Sequence, residues 1–140
     1  MSDEVVYVID DDEGVRRALC RLVASVALRA EGFPSAEAFL EKPLPEQPSW
    51  LVLDLNLGNG LSGLALQAEL RDRQYIVPIL FISGTTNVRS SVAAMKAGAF
   101  DFLEKPIDQE VFRLSEEQAR RWFGDQAAAL ITSWKGRTAS

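Results

Sequence analysis

Carboxylates follow two short apolar segments of this 140-residue chain. Asp10–Asp12 come directly after Val5–Ile9, and Asp54 comes directly after Trp50–Leu53. Clustered carboxylates repel one another unless a cation lies between them, and oxygen ligands suit Mg²⁺, which also binds phosphate. A carboxylate such as Asp54 can attack a phosphoryl group and form an acyl phosphate when the transferring oxygens are neutralised. These residues therefore indicate metal-assisted phosphoryl transfer.

A hydroxyl and an ammonium group follow two further apolar segments. Ser83 comes after Val77–Ile82, and Lys105 comes after Phe100–Leu103. Both side chains could neutralise phosphoryl oxygens beside a metal ion. Each signal alone is weak, because a run of aspartates is usually a solvated loop or a helix cap, and Lys-Pro is usually a surface turn. Their joint position after four apolar segments favours a functional site.

The four apolar segments have the pattern of strands buried on both faces of a parallel sheet. β-Branched and aromatic residues run without interruption through Val5–Ile9, as is typical of such strands. Apolar residues at helical spacing follow the first strand: Val15, Leu19, Leu22, Val23 and Val26. Because parallel strands need helical crossovers, the alternation predicts one doubly wound α/β domain. Ligands of such sheets bind beyond the carboxyl ends of the strands, where the residues named above would meet.

The remaining strands and helices are predicted from the spacing of apolar residues and from residues that favour helix ends. They are a strand at Leu28–Phe33, a helix after an N-cap at Ser35, a helix at Leu64–Arg73, a helix from Asn87 to Gly98, and a final helix at Asp108–Phe123. In the helix after Asn87, the apolar stripe of an amphipathic helix is formed by Val88, Val92 and Met95.

Composition argues against several other classes of protein. A net charge of −5 and the lack of histidine disfavour a nucleic-acid surface, histidine metal sites and histidine-based catalysis. The single cysteine, Cys20, allows no intramolecular disulfide. No apolar run approaches the roughly 18 residues of a membrane span, and the acidic N-terminus has no signal-peptide features. We expect a cytoplasmic protein that contacts neither nucleic acid nor membrane directly.

The ordered motifs resemble the receiver family of bacterial response regulators in two-component signalling. The similarity runs from Val5 to about Val111 and is carried by VIDDDEGVRR, LVLDLNLG, FISGT and AMKAGAFDFLEKPI. It implies a flavodoxin-like (βα)5 fold with a five-stranded parallel sheet in the order 2-1-3-4-5, similar to receivers of the chemotaxis and nitrogen-fixation type. It also implies a phosphorelay, in which a histidine kinase or a histidine phosphotransfer protein donates a phosphoryl group to an aspartate.

The resemblance implies a chemical role for each site residue. Asp54 looks like the phosphoacceptor, and Ser83 and Lys105 look like the groups that contact its phosphoryl group. The implied ligands of Mg²⁺ are Asp10, Asp11, Asp54 and the backbone carbonyl of Asn56. The protein would be a signalling switch and not an enzyme, because it would catalyse only its own phosphorylation and dephosphorylation.

The resemblance also implies how the signal leaves the site. Ser83 and Phe102 look like the switch residues, and Asn56 and Thr85 lie where receivers tune the lifetime of the acyl phosphate. The output would be a population shift in the face formed by the fourth helix, fifth strand and fifth helix. That face would control a downstream protein that the sequence does not identify.

Two segments depart from the family pattern. The loop LNLGNGLSG has Gly58 where the family usually has proline and one residue more before Gly63, so we expect a more mobile loop. The fifth-helix region is less regular than usual. We assign residues 1–123 to the receiver domain and 124–140 to a C-terminal extension that is a candidate for a short helix, with no effector domain. Four apolar residues near the C-terminus would cover hydrophobic surface, either within the chain or in a homodimer: Trp122, Phe123, Ile131 and Trp134.

Two alternatives remain open from the sequence. An aspartate-nucleophile phosphatase of the haloacid dehalogenase type would use Asp10 and Asp12 as its acidic pair, together with Ser83 and Lys105. A pseudo-receiver would use the same fold for protein contacts without being phosphorylated, and the altered loop after Asp54 is its sequence support.

Overall fold

The computed structural model describes residues 4–46, 48–58, 60–84 and 88–122. Its strands are β1 (Val5–Ile9), β2 (Arg29–Phe33), β3 (Ser49–Asp54), β4 (Ile79–Ser83) and β5 (Asp101–Glu104). Its helices are α1 (Glu13–Ser25), α2 (Ala36–Glu41), α3 (Gly63–Asp72), α4 (Val88–Lys96) and α5, whose described residues are 109–122. All neighbouring strands are parallel and the sheet order is β2-β1-β3-β4-β5, so the predicted fold and strand order are confirmed.

The sheet separates two hydrophobic cores. Successive residues of a strand face opposite sides, so Tyr7 and Ile9 of β1 contribute to one core and Val6 and Val8 to the other. Helices α2, α3 and α4 cover the first core, and α1 and α5 cover the second. Because β1 is buried on both faces, its sequence is apolar throughout and does not alternate with polar residues.

Side-chain caps determine where the helices near the carboxyl edge of the sheet begin. The predicted cap at Ser35 is confirmed, since its hydroxyl accepts a hydrogen bond from the Ala38 N–H at 3.0 Å. Asp12 and Ser62 cap α1 and α3 in the same way. Gly98 follows α4 at φ 107°, a conformation that favours glycine and matches its predicted role as a stop.

Strand β4 begins two residues later than the sequence pattern predicts. Pro78 has no N–H to donate to a neighbouring strand, although its carbonyl accepts the Leu51 N–H at 3.0 Å. The regular pairing therefore starts at Ile79 and extends to Ser83, which becomes the last residue of the strand. The bounds of β1 match the prediction, and the other described strand and helix bounds differ from the predictions by at most two residues.

The apolar stripe predicted for α4 does not face the sheet. Val88, Val92 and Met95 are exposed by 71%, 46% and 43%, whereas Ala94 is fully buried. A small residue on the inner side lets the helix approach β5 closely, and the larger apolar residues point away from the core. Periodicity alone therefore found the helix but placed its buried face wrongly.

Some predictions fall on residues that the structure does not describe. These are the cap at Asn87, the tuning residue Thr85, the extension 124–140 and the apolar residues Phe123, Ile131 and Trp134. Within the described ranges, no helix combines the length and apolar character that crossing a membrane requires.

Candidate functional site

Three of the predicted carboxylates converge beyond the ends of β1 and β3. Ile9 and Leu53 are paired in register, so Asp10 and Asp54 lie side by side at the edge of the sheet. One oxygen from each of Asp10, Asp11 and Asp54 lies within 4.8 Å of the other two. Asp10 and Asp54 are buried and Asp11 is exposed, so the cluster is anchored in the core and open to solvent on one side. These three carboxylates could bind a metal ion.

Lys105 lies between the two buried carboxylates. Its ammonium nitrogen is 2.9 Å from Asp10 Oδ2 and 3.3 Å from Asp54 Oδ2. The backbone fixes its position, because the Lys105 N–H donates to the carbonyl of Ser83 at 2.8 Å. The following peptide bond, Lys105–Pro106, is cis. Lys105 lies 51 positions after Asp54 in the sequence and is in direct contact with it.

Burial and charge attraction oppose each other at both Asp54 and Lys105, and the pKa of each group is raised. Burial, followed by repulsion from Asp10, raises the pKa of Asp54 from 3.8 to about 6, although Lys105 and the Asn56 N–H oppose this rise. Burial would lower the pKa of Lys105, but its hydrogen bonds and charge attraction to Asp10 and Asp54 outweigh that effect and raise it. Asp54 is therefore mostly ionised near neutral pH, and Lys105 is charged.

The remaining site residues have different degrees of contact with Asp54. The Asn56 N–H donates to Asp54 Oδ1 at 3.2 Å, which orients the carboxylate. Ser83 is fully buried at the end of β4, one residue beyond the Asp54–Ile82 pair. Phe102 lies on the neighbouring strand, half-buried and stacked on Phe81 with ring centroids 6.3 Å apart.

Asp12 is separated from this cluster by its role in the helix. Its carboxylate accepts the Val15 N–H at 3.0 Å as the N-cap of α1, while its own N–H donates to Asp10 Oδ1 at 2.9 Å. Among the described residues, the group of carboxylates that could hold a metal ion contains Asp11 and not Asp12. This arrangement disfavours the phosphatase alternative, which needs Asp10 and Asp12 as a pair.

Two residues near the site were not found from the sequence. The Arg16 guanidinium donates to the carbonyl of Asp10 at 2.8 Å and so supports the turn that carries the carboxylates. Glu37 of α2 accepts the N–H of Leu61, in the loop after Asp54, at 3.0 Å. No local pattern marks Glu37, because its partner lies 24 residues away.

Comparisons with known proteins agree with this geometry. The sequence model of the family described as response regulator receiver domain matches residues 6–115. Nodulation protein W of Bradyrhizobium diazoefficiens is 45% identical over 108 residues, which cover 76% of this chain and 47% of that protein. Transcriptional regulatory protein FixJ of Rhizobium meliloti is 36% identical over 119 residues, which cover 85% of this chain and 58% of that protein. The chain thus spans about half the length of the curated relatives that it matches.

Solved structures give the same result. The crystal structure of FixJ-N has a TM-score of 0.77 at 36% identity and covers 85% of this chain and 94% of its own. The response regulator StyR has a TM-score of 0.81 at 36% identity and covers 94% of this chain and 66% of its own. Together with the matching family model and the confirmed strand order, these similarities show that the chain belongs to the receiver domain family of two-component response regulators.

Proposed function

We propose that this receiver accepts a phosphoryl group on Asp54 from a phosphohistidine of a histidine kinase or a histidine phosphotransfer protein. The observation that carries the proposal is the contact of Asp54 with Lys105 inside a cluster of three carboxylates. An Asp54 oxygen attacks phosphorus, a new P–O bond forms, and the P–N bond of the donor breaks. The bond electrons remain on the imidazole nitrogen of the donor, which becomes neutral or takes a proton from solvent.

The charges of the site support Mg²⁺ as its metal ion. Three carboxylates against the single ammonium of Lys105 leave an excess of two negative charges, which a divalent cation balances. Asp10, Asp11, Asp54 and the carbonyl of Asn56 would hold the ion, and oxygen ligands are those that Mg²⁺ prefers. When bound, Mg²⁺ neutralises negative charge on the phosphoryl oxygens during transfer.

The side chains of the chain itself carry the rest of the proposed mechanism. The Asn56 N–H donates to Asp54 Oδ1, and the Lys105 ammonium contacts Asp54 Oδ2. The ammonium can stabilise the negative charge that develops on the phosphoryl oxygens during transfer. Ser83 supplies a hydroxyl from the neighbouring strand end to a phosphoryl oxygen. Asn56 and Thr85 would set how readily water reaches the acyl phosphate and hence its lifetime.

The exposed apolar residues of α4 support the proposed output face. Val88, Val92 and Met95 recur along one side of α4 and are all at least 43% exposed. Apolar residues grouped on a surface are typical of a contact region for another protein. We propose that phosphorylation, through Ser83 and Phe102, shifts the population of conformations of α4, β5 and α5. This shift would control a downstream protein or a homodimer in the cytoplasm.

The test is the intact mass of the protein after incubation with acetyl phosphate and Mg²⁺. We expect one added phosphoryl group on the wild type and none on Asp54→Asn or in the presence of EDTA. A phosphorylated histidine kinase domain should transfer its label to the same residue.

Other outcomes would point to the alternatives. If no adduct forms even at short times while Mg²⁺ still binds, the pseudo-receiver interpretation gains support. Donor hydrolysis that survives Asp54→Asn would favour a phosphatase, and the phosphoacceptor proposal would then be abandoned.

A further inference from the structure

A carboxylate of α2 contacts the loop after Asp54. The N–H of Leu61 donates to Glu37 Oε2 at 3.0 Å. Gly60 has φ 104°, and a Cβ atom built on it would lie 2.4 Å from the same oxygen. The Gly60 backbone therefore lies directly against the Glu37 carboxylate, in a positive-φ conformation that favours glycine.

The other side of the same loop rests against the carboxylate cluster. Gly58 has φ 69°, and a Cβ atom built on it would lie 3.1 Å from Asp11 Oδ2. Asn56, two residues earlier, donates its N–H to Asp54 Oδ1. The described part of the loop thus spans the distance between Glu37 and two of the three clustered carboxylates.

The two ends of this loop are fixed independently of Glu37. Leu55 and Leu57 are buried in the core, and the N–H of Gly63 donates to the carbonyl of Leu55 at 3.1 Å. The apex is exposed, so its position depends on contacts such as the one with Glu37. The sequence led us to expect a mobile loop here, because glycine replaces the usual proline at position 58. The Glu37 contact supplies a restraint that the sequence pattern does not reveal.

We propose that Glu37 is a positioning residue: its carboxylate holds the apex of the β3–α3 loop and so keeps the Gly58 backbone beside Asp11 and the carboxylate cluster. The inference rests on the proposed function, because it concerns the geometry of the proposed Mg²⁺ and phosphoryl site. The hydrogen bonds from the Leu61 N–H and from its own backbone lower the pKa of Glu37, so the side chain is charged at neutral pH.

Three variants separate this role from a general charge effect. Glu37→Ala removes both the charge and the acceptor, whereas Glu37→Gln removes the charge but keeps an oxygen that can accept the Leu61 N–H. Glu41→Ala removes the same charge from an exposed position of the same helix. Gly60→Ala is a fourth variant, which should displace the carboxylate from the other side.

The first measurement is hydrogen exchange and the proton chemical shift of the Leu61 amide in the metal-free protein, which reports the contact without any activity. The second is the Mg²⁺ affinity, followed by NMR titration, and the third is the decay rate of phosphorylated Asp54. In Glu37→Ala and Gly60→Ala we expect faster exchange at Leu61, about three- to tenfold weaker Mg²⁺ binding and an altered decay rate. Glu37→Gln should remain near the wild type, and Glu41→Ala should equal it.

The outcomes distinguish the two proposals. If the wild type binds Mg²⁺ and accepts a phosphoryl group but Glu37→Ala matches it in both, the role of Glu37 is overturned and the proposed function stands. If Glu37→Gln is as impaired as Glu37→Ala, the effect is one of charge and the positioning role is also overturned. If the wild type neither binds Mg²⁺ nor accepts a phosphoryl group, both proposals fail.

Discussion

Replacing Asp54 with asparagine should stabilise the metal-free protein, and the gain should grow with pH. The folded protein raises the pKa of Asp54 from 3.8 to about 6 because the carboxyl group is buried and lies beside Asp10. Between these values the folded state holds a proton that the unfolded state has released. The stability of the wild type therefore falls as the pH rises through this window, whereas asparagine has no proton to lose.

The pKa difference sets the size of the effect. A folded-state pKa of about 6 against 3.8 corresponds to about 3 kcal/mol when Asp54 is fully ionised, at ~1.4 kcal/mol per tenfold change in proton affinity. The side chain of Asp54 is 5% exposed, so solvent screens little of this energy. Linkage places about half of this energy, on the order of 1–2 kcal/mol, between about pH 5 and pH 8, a range in which urea unfolding can be measured.

The assay is urea unfolding of both proteins in EDTA across that pH range, with Asp72→Asn as the control. Asp72 is an exposed carboxylate at the end of α3, so its variant should run parallel to the wild type. Saturating Mg²⁺ should remove most of the advantage of Asp54→Asn, because the cation stabilises the ionised cluster of the wild type. Parallel stability curves for Asp54→Asn and the wild type in EDTA would refute the reasoning.

Three further substitutions test the site and its support. Lys105→Met should slow phosphorylation by acetyl phosphate by about 100-fold or more, since it removes the ammonium that contacts Asp54 at 3.3 Å; a rate within a few-fold of the wild type would contradict this role. Asp12→Ala should cost about 1 kcal/mol in urea unfolding through loss of the α1 cap but leave Mg²⁺ affinity nearly unchanged, while Asp11→Ala should show the reverse pattern. Gly63→Ala should cost roughly 1–3 kcal/mol, because its Cβ would lie 2.5 Å from the carbonyl oxygen of Asp54. Gly84→Ala, whose Cβ would meet no heavy atom within 4 Å among the described residues beyond its chain neighbours, is the matched control and should change stability by less than about 0.5 kcal/mol.

Most of the sheet could be predicted from the sequence because its strands are buried on both faces. Burial of this kind requires continuous apolar runs, as in β1 and β3, and such runs are distinct from helical patterns. The polar residues that end these runs then had to meet at one edge. The convergence of Asp10, Asp54 and Lys105 confirms that expectation. Strand ends were harder to predict, as Pro78 and the late start of β4 show.

The different roles of the neighbouring acidic residues could not be predicted from their residue type. Asp10, Asp11 and Asp12 are chemically identical, and the family resemblance was needed to separate them. In the structure, the start of α1 turns Asp12 toward the helix N-terminus, whereas Asp11 remains with the cluster. The direction of the backbone after β1 makes this distinction.

From the amino-acid sequence one could predict the order of strands and helices, the family and the residue types at the carboxyl edge of the sheet. These features depend on local hydrophobic pattern and on motifs within single segments. Only packing in three dimensions shows which face of α4 is buried and that Glu37 contacts Leu61. Such features depend on the packing of segments that are distant in the sequence, and no local periodicity encodes which surface a neighbouring element will cover.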